Sequence, residues 1–419
     1  MAFGGIWRQR GFRLFWFGES VNHIGNSLSV VVLSLLTVSV LDATAFEVGL
    51  LTGLTFLPWL LIGLQAGAWV DRLPAKNVMI VSDLVAAGCF ATVPLAAWLD
   101  LLSIEQVLVV AFVSGTASVF FETAYHVTLP TVVDTGDLME ANAKLRGTAS
   151  VAQLSGLGLG GFLAQAIGAA TALSVNAASF LVSAACLLRI RAHRVATTTK
   201  PAPAEPLRRS IAAGIGFVAK DPYLRPITIW AALSNFGLTG HDALIMLFLV
   251  RDVGVGPGLA GILLACGGIG AVIGAMLARR IAARLGTARG LLVCTLVLSP
   301  PILLVPLATP GAGVVCYALG MLLCCTGIAI TNIIVSSFRQ SYTPAGMLGR
   351  VTATVRFLLN GSYPLGALVA ALLGTWLGVR AALWLMLGLV AVAGVILLTR
   401  TLLAPRDLPQ VADRVPVAS

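Results

Sequence analysis

Apolar segments of about twenty or more residues recur along the whole chain, separated by short polar turns. A helix of about 20 apolar residues is long enough to cross roughly 30 Å of hydrocarbon. The segments lack the two-residue alternation of short strands that a membrane β-barrel requires. The pattern therefore predicts an all-α membrane protein with twelve transmembrane helices. These helices are predicted at residues 13–40, 46–70, 78–99, 105–130, 143–167, 169–190, 225–250, 257–278, 289–308, 312–336, 351–376 and 380–402.

Two turns and the helices that follow them recur at half the chain length. The charged turn Gly67-Ala-Trp-Val-Asp71-Arg72-Leu-Pro74-Ala-Lys76 has a counterpart about 207 residues later, which begins at Gly274 and carries Arg279, Arg280 and Arg284. The loop before the glycine-rich fifth helix likewise has a counterpart about 206 residues on, before Pro364. A shared offset predicts two related six-helix halves.

Composition and charge narrow the class of protein. With a mean hydropathy of +0.96 and only 11% charged residues, the chain has too little charge for the surface of a soluble globule. The net charge of +10 could suggest nucleic acid, but assigning loops to alternate sides puts 25 of the 27 lysines and arginines on one side. This asymmetry predicts a multi-pass cell-membrane protein with both termini cytoplasmic and no nucleic-acid partner.

All seven cysteines fall within predicted helices, where they pack as small apolar residues. We therefore expect no disulfide, no metal site and no cofactor. The start of the chain lacks a signal-peptide cleavage pattern, so we expect the first apolar segment to remain as a helix.

A polar stretch at 191–224 divides the chain into predicted bundles at 1–190 and 225–402. Threonines, alanines, prolines and cations at 192–210 are typical of a linker, and residues 211–224 have the pattern of an amphipathic helix on the membrane surface. The tail at 403–419 is polar and contains prolines, and we predict that it is disordered.

These features resemble the major facilitator superfamily. The resemblance rests on twelve spans in a 6+6 arrangement, the basic linker, and the turn Gly67-x-x-x-Asp71-Arg72-x-x-x-Lys76. The runs Leu138-x-x-Ala-Asn142-Ala and Asn176-Ala-Ala-Ser179-Phe180 are similar to its branch of enterobactin exporters and macrolide efflux pumps. The resemblance covers roughly residues 12–402 and implies a secondary transporter that works by alternating access.

The resemblance implies a cytoplasmic gate at the first charged turn. In the family, the counterpart of Asp71 holds the start of helix 11, here near Val351. Gly67 would let helices 2 and 11 approach, and Arg72 and Lys76 would contact lipid head groups or acidic groups across the gate. Pro74, in place of the family's glycine, departs from the pattern and weakens the gate. The predicted gate residues are Gly67, Asp71, Arg72, Lys76, Asp83, Arg350 and Arg356.

The glycine run on the fifth helix predicts close helix packing at Gly156, Gly160 and Gly161. It resembles the family's antiporter motif, except that Leu157 replaces the proline. In the second half, Pro364 and Gly366 lie at the corresponding depth in helix 11. The family's arginine for proton-coupled exchange is absent from 105–130, which weakens the implied proton coupling.

Polar residues within the spans fall on helices 1, 4, 7 and 10, which line the central cavity of the resembled fold. A charge at the bilayer centre costs about 2.5–3.5 kcal/mol on insertion scales, so these residues are expected to face a cavity or a partner. The predicted cavity residues are Glu19, Asn22, His23, Asn26, Glu122, Tyr125, His126, Asn235, Asp242 and Asn332.

The spacing of the predicted cavity residues along each helix shows which of them share a helix face. Glu19 and His23 lie at i and i+4, and Glu122 and His126 form a second such pair at a similar predicted depth. One hypothesis is that the pairs form a proton-exchanging site, and the alternative is that they are hydrogen-bonded groups that fix helix packing. On helix 7, Asp242 is the better cavity candidate than His241, because adjacent residues point about 100° apart and Asp242 shares a stripe with Asn235.

The sequence favours a secondary active transporter and not an enzyme. The resembled branch implies a monomer, surrounded by membrane lipids, that exports a small, partly apolar molecule of the drug, antibiotic or siderophore class by proton antiport. A uniporter or importer of a small metabolite stays open. A prenyltransferase would need paired Asp-rich motifs and a primary pump a Gly-x-x-x-x-Gly-Lys-Ser/Thr loop, and the sequence has neither.

Overall fold

A computed structural model of the chain describes residues 6–70, 72–133, 137–190 and 207–409. At positions 64, 68, 139, 207–213, 345, 346, 349 and 353 it describes the backbone alone. The predicted gate residue Asp71, residues 191–206 of the predicted linker and residues 410–419 of the predicted tail therefore lie outside the described residues.

The described backbone is almost entirely helical and contains no strand. In the part of the chain that the structure describes, twelve helical stretches are long and apolar enough to cross a membrane, which confirms the number predicted from the apolar segments. A further helix, α7, occupies most of the stretch where an amphipathic piece was predicted. The predicted membrane helices 7, 8, 10, 11 and 12 therefore correspond to α8, α9, α11, α12 and α13, and predicted helix 9 begins at α10. The helices are α1 (Arg10–Leu35), α2 (Ala45–Val70), α3 (Ala75–Trp98), α4 (Ile104–Val132), α5 (Leu138–Ile167), α6 (Ala169–Arg189), α7 (Leu207–Lys220), α8 (Leu224–Leu247), α9 (Pro257–Leu285), α10 (Thr287–Val293), α11 (Val314–Tyr342), α12 (Ala345–Leu377), α13 (Val379–Ala393) and α14 (Arg400–Leu403).

The ninth membrane-spanning stretch, Thr287–Leu307, is not a regular α-helix. It begins as α10, continues as a π-helical segment at Cys294–Leu298 and ends as a 3-10 helix at Pro300–Leu307. Prolines remove backbone donors and clash with the preceding turn, and this stretch contains Pro300, Pro301 and Pro306. Hydropathy located the span but did not show how it is broken.

Contacts divide the chain into two compact units. The first contains residues 1–198 and 243–265, and its core includes the buried side chains of Phe12, Phe15 and Met79. The second contains residues 199–242 and 266–419, and its core includes Leu291 and Phe338. In the first unit, α1 packs along α5 and α6, while α4 packs against α2 and α3.

Equivalent glycines pack helices together within each unit. In the first unit, a Cβ at Gly160 on α5 would lie 2.8 Å from the carbonyl oxygen of Leu28 on α1. In the second, a Cβ at Gly366 on α12, two residues after the buried Pro364, would collide with the carbonyl oxygen of Phe236 on α8. In each half, a glycine on the fifth helix thus packs directly against the first helix, as expected of a duplicated bundle.

The segment 243–265 is held within the first unit by polar and glycine contacts. Arg251 donates a hydrogen bond of 2.5 Å to Asp42, and the amide of Gly258 donates to the Gln165 side chain at 3.2 Å. A Cβ at Gly161 would lie 3.0 Å from the Cα of Gly261. The predicted packing glycine Gly161 therefore joins α5 to the start of α9.

The prediction that the tail is disordered is wrong for residues 404–408. The Thr287 amide at the start of α10 donates to the Asp407 carboxylate at 2.9 Å, and the Leu408 amide donates to the Thr287 hydroxyl at 2.8 Å. Arg406 donates to the carbonyl oxygens of Ala283 and Arg284, at the end of α9. Helix ends leave backbone groups without partners, and this part of the tail supplies them.

Candidate functional site

The polar stripe of α1 runs from the packed interior to the edge of a cavity. Glu19 and Asn22 are buried, with 5% and 3% of their surface exposed. Asn26 is half-buried, and the His23 side chain is 46% exposed. One stripe therefore contains both dehydrated and accessible polar groups.

Asn22 is the centre of a buried hydrogen-bond network. Its side-chain amide donates to the Asp83 carboxylate on α3 at 3.1 Å, and its carbonyl oxygen accepts from Asn26 at 2.6 Å. Asp83 is 1% exposed, and Ser183 on α6 lies beside its carboxylate. Asp83, predicted as a gate residue, thus bonds the predicted cavity residue Asn22 in this structure.

Glu19 is incompletely satisfied. Its Oε2 atom lies 3.8 Å from the Nε2 atom of His23, and its Oε1 atom has no hydrogen-bond partner among the residues the structure describes. Asp83 is close enough to act on it electrostatically. The Oδ2 atom of the neighbouring Asp83 also has no hydrogen-bond partner among the described residues, so two buried carboxylates are incompletely satisfied here.

On α4, Tyr125 connects to the α1 stripe. Its ring packs on Phe15 with centroids 5.4 Å apart, and Glu19, Glu122 and Arg146 all lie within electrostatic range of its hydroxyl. Glu122 and His126 are both exposed on α4, and the His126 ring meets Tyr125 edge-on. The two hypothesised acid–histidine pairs therefore differ, because Glu19 is buried and His23 is exposed, whereas both members of the second pair are exposed.

A cavity of about 460 Å³ lies between α1 and α5 in the first unit. On α1 its wall is formed at positions i, i+3, i+4 and i+7, and the α5 wall repeats that spacing. The lining residues are His23, Asn26, Ser27 and Val30 on α1, and Arg146, Ala149, Ser150, Gln153 and Leu157 on α5.

Sequence reasoning did not predict that residues of α5 line this cavity. It grouped Arg146 with the loop cations because that residue follows a charged loop closely, and it did not consider Gln153. The stripe of Arg146, Ser150 and Gln153 was visible as helical spacing. What the sequence did not show was that this stripe lies opposite His23 and Asn26.

Two glycines bring α5 against α1 beside the cavity. A Cβ at Gly156 would lie 2.6 Å from the Ser27 side chain, and Gly160 contacts Leu28 as described above. At the other end, the Trp16 indole donates to the Thr148 hydroxyl at 2.9 Å. Both contacts therefore join α1 to α5 next to residues that line the cavity.

The second unit contains a separate polar group. His241 is fully buried, stacks on Tyr317 with centroids 6.5 Å apart, and places its Nδ1 atom 2.9 Å from Asp242 Oδ1. The Asp242 side chain is 67% exposed. Asn235 is half-buried and Asn332 is exposed, and among the described residues no hydrogen bond joins either of them to Asp242. His241 therefore orients an accessible carboxylate.

The described gate residues make contacts within their own units. The Lys76 ammonium donates to the carbonyl oxygen of Ile190 at 2.6 Å and so caps the end of α6. Arg72 is exposed in the α2–α3 turn, and a Cβ at Gly67 would meet no atom within 4 Å. In the second unit, the carbonyl oxygen of the half-buried Arg350 lies 2.8 Å from a Cβ placed at Gly214 of α7. Arg356 is exposed and lies within electrostatic range of Arg339.

Within the described ranges, no cluster of three or more His, Cys, Asp or Glu side chains is arranged to hold a metal ion. The seven cysteines are free thiols.

Comparisons with known proteins agree with this architecture. The model of the Major Facilitator Superfamily matches residues 15–362. The multidrug efflux pump Tap of Mycolicibacterium fortuitum is 24% identical over 399 residues, covering 90% of this chain and 94% of that protein. Macrolide efflux protein A of Streptococcus pyogenes is 28% identical over 123 residues, covering 29% of this chain and 30% of that protein.

Solved transporter structures share the fold. The nucleoside transporter NupG superposes with a TM-score of 0.74 at 14% identity, covering 92% of this chain and 98% of that one. A bacterial homologue of the iron transporter ferroportin, in an inward-facing state, gives a TM-score of 0.72 at 16% identity, covering 93% and 98%. At these identities the likeness concerns the fold alone.

Proposed function

Because the chain belongs to the major facilitator superfamily, we propose that this multi-pass membrane transporter exports a small, partly apolar organic molecule in exchange for protons. Relatives that are named as multidrug and macrolide efflux proteins support export. The observation that carries proton exchange is Glu19, a buried carboxylate with an unpartnered oxygen, 3.8 Å from a histidine that lines a cavity.

Glu19 and His23 have the properties of a proton site. A charged carboxylate within a membrane is costly unless it is paired, so the charged and neutral forms of Glu19 need different surroundings. His23 reaches the cavity, and an imidazole ring can both accept and donate a proton, so it can pass protons between cavity water and Glu19. At 3.8 Å the two groups are beyond hydrogen-bond distance, and a bridging water or a small ring movement would complete the transfer.

Alternating access requires two bundles that rock around a central site. We assign these roles to residues 1–190 and 225–402, joined by the linker 191–224, with the termini and the tail 403–419 in the cytoplasm of a monomer in the cell membrane. The charge asymmetry of the loops supports this orientation. The residues at the α2–α3 turn, with Arg350 and Arg356, form the gate in this proposal.

The test is Glu19→Gln in proteoliposomes whose lumen is made acidic. Protons that leave down their gradient drive a transported antibiotic into the lumen of vesicles with the normal protein. Glutamine imitates the neutral carboxyl but cannot release a proton. We expect gradient-driven accumulation to fall to the level seen with a protonophore, while exchange of labelled for unlabelled antibiotic at equal pH continues.

The matched control is Glu140→Gln, which removes an exposed acid that pairs with Lys144 at 3.3 Å on the same unit. This variant is expected to transport normally, because exposed pairs contribute little. Gradient-driven accumulation that is unchanged in Glu19→Gln would remove Glu19 from the mechanism. Substrate would be identified beforehand by screening overexpressing cells against hydrophobic antibiotics.

A further inference from the structure

We propose that the α1–α5 cavity binds an anionic oxygen group of the transported molecule, such as a carboxylate, through Arg146 and His23. The inference rests on the proposed transport function and adds the chemical class of the ligand. Asn26, Ser150 and Gln153 line the same cavity and supply neutral hydrogen-bond donors around these two groups.

Arg146 is a charge inside a membrane-spanning stretch. The stretch begins at Glu140, so Arg146 lies about 9 Å along the helix from its start at 1.5 Å per residue. Ionisable residues within membrane-spanning segments face the interior of a bundle or a water-filled cavity, and they pair with one another or with backbone carbonyl groups. Arg146 lines the cavity, which meets the first of these expectations.

The anion is missing from the described part of the chain. Among the described residues, no carboxylate lies within 4.0 Å of the Arg146 guanidinium. Glu140 on α5 is paired with Lys144, and Glu19 faces His23. The exposed Glu122 on α4 lies, like Arg146, within electrostatic range of the Tyr125 hydroxyl, but it forms no ion pair with the guanidinium. The side chains that line the cavity include Arg146 and His23 but no acid.

The positive charge of Arg146, with no acid on the cavity wall, therefore favours a ligand that carries an anionic group. A planar guanidinium binds a carboxylate through two parallel hydrogen bonds, and the His23 ring adds a further hydrogen-bond donor. A cationic group placed here would meet Arg146 without any acid on the cavity wall. The volume of about 460 Å³ accommodates a ring with its acidic substituent rather than a bare ion.

The electrostatic part of the proposal is tested without knowing the substrate. Ser150, an exposed residue of the cavity wall, is changed to cysteine in the full-length protein. Its reaction rates are measured with the anionic sulfonatoethyl and the cationic trimethylammonioethyl methanethiosulfonates, and the rates of the parent protein with its seven native cysteines are subtracted. We expect the anionic reagent to be favoured, and Arg146→Gln to lower the anionic-to-cationic rate ratio by about tenfold. Arg146→Lys, which keeps the charge, should retain the ratio.

Ligand binding is tested by protection of the same cysteine. Salicylate is expected to slow the modification of Ser150→Cys, while salicylamide, its uncharged analogue, is not, and Arg146→Gln should abolish the protection. Equal protection by both probes, or protection by neither, would overturn the proposal. So would a rate ratio that does not depend on residue 146.

The membrane itself is a second source of anionic oxygen. The labelling is therefore repeated in nanodiscs of phosphatidylcholine and of phosphatidylglycerol. If phosphatidylglycerol alone suppresses the anionic preference and salicylate has no effect, Arg146 binds a lipid phosphate and the proposal is wrong. These measurements involve no proton gradient, so they can fail while Glu19-dependent exchange is observed, or succeed without it.

Discussion

At the scale of single residues, the buried polar groups of α1 are distinguished by how well each is satisfied. Asn22 both donates and accepts, so it links Asp83 to Asn26. Glu19 has an oxygen with no partner among the described residues, although it lies one turn away on the same helix. The fully bonded Asn22 side chain suits a structural role, whereas the unpartnered oxygens of Glu19 and of Asp83 suit groups that change their protonation state.

This difference predicts the outcome of Asn22→Ala. Loss of the amide removes one hydrogen bond from the buried Asp83 carboxylate, which keeps Ser183 beside it, and removes the acceptor of the Asn26 amide. We expect this loss to destabilise the protein by about 1–3 kcal/mol. The measurement is thermal unfolding of the purified protein in detergent. Asn142→Ala is the control, because the exposed Asn142 side chain bonds only the carbonyl oxygen of Leu138. Equal melting temperatures for the two variants would show that the network does not stabilise the fold.

At the scale of helices, glycine determines how closely α5 and α1 approach. Gly156 and Gly160 face α1 at distances that leave no room for a side chain, whereas a Cβ at Gly158 would meet nothing within 4 Å. Small residues permit such close approach between membrane helices. The same contact defines one end of the α1–α5 cavity, so helix packing and cavity shape depend on the same residues.

Gly156→Ala is expected to force α1 and α5 apart. The added methyl group would lie 2.6 Å from the Ser27 side chain and 2.7 Å from the Ile24 carbonyl oxygen. Overpacking of this kind costs about 1–3 kcal/mol. Thermal unfolding in detergent measures it, with Gly158→Ala as the matched control on the same helix. The control should be unchanged or slightly more stable, because alanine favours helix. A Gly156→Ala protein as stable as the control would contradict this account of the contact.

The unsatisfied backbone groups at the ends of α9 and α10 also explain why residues 404–408 of the tail are ordered. The carbonyl groups at the end of α9 and the amides at the start of α10 need partners, and Arg406 and Asp407 provide them. Gly286 between the two helices has φ 90°, and a side chain there would collide with the Arg406 carbonyl group. The polar, proline-containing composition of the tail predicted disorder because local composition contains no information about hydrogen-bond partners elsewhere in the chain.

At the scale of the whole molecule, the proposed antiport predicts how cellular accumulation of the transported antibiotic changes when the proton gradient is removed. Cells that overexpress the protein are expected to accumulate less of a transported antibiotic than cells with the empty vector. A protonophore removes the driving force, so it should raise accumulation toward that of cells expressing Glu19→Gln. The measurement is uptake of labelled antibiotic over minutes. A protonophore that lowers accumulation in the overexpressing cells would point to import.

Much of the fold followed from the sequence. Twelve spans were found because desolvation in a membrane demands long apolar helices whatever their neighbours are, and this demand is local. The family was identified from the Gly67–Lys76 turn and the repeat of the two halves, and the family model matches residues 15–362. The polar stripe of Glu19, His23 and Asn26 was visible because helical spacing alone places them together.

The tertiary structure decided which groups meet. Hydropathy did not show that Arg146 faces His23 across a cavity, that Asp83 bonds Asn22, or that Arg406 and Asp407 join α9 to α10. Each of these contacts joins residues far apart in the chain, and its existence depends on which helices pack side by side and at what rotation. Apolar periodicity determines that a helix crosses the membrane, but the burial and partners of its polar groups depend on the surfaces of other helices.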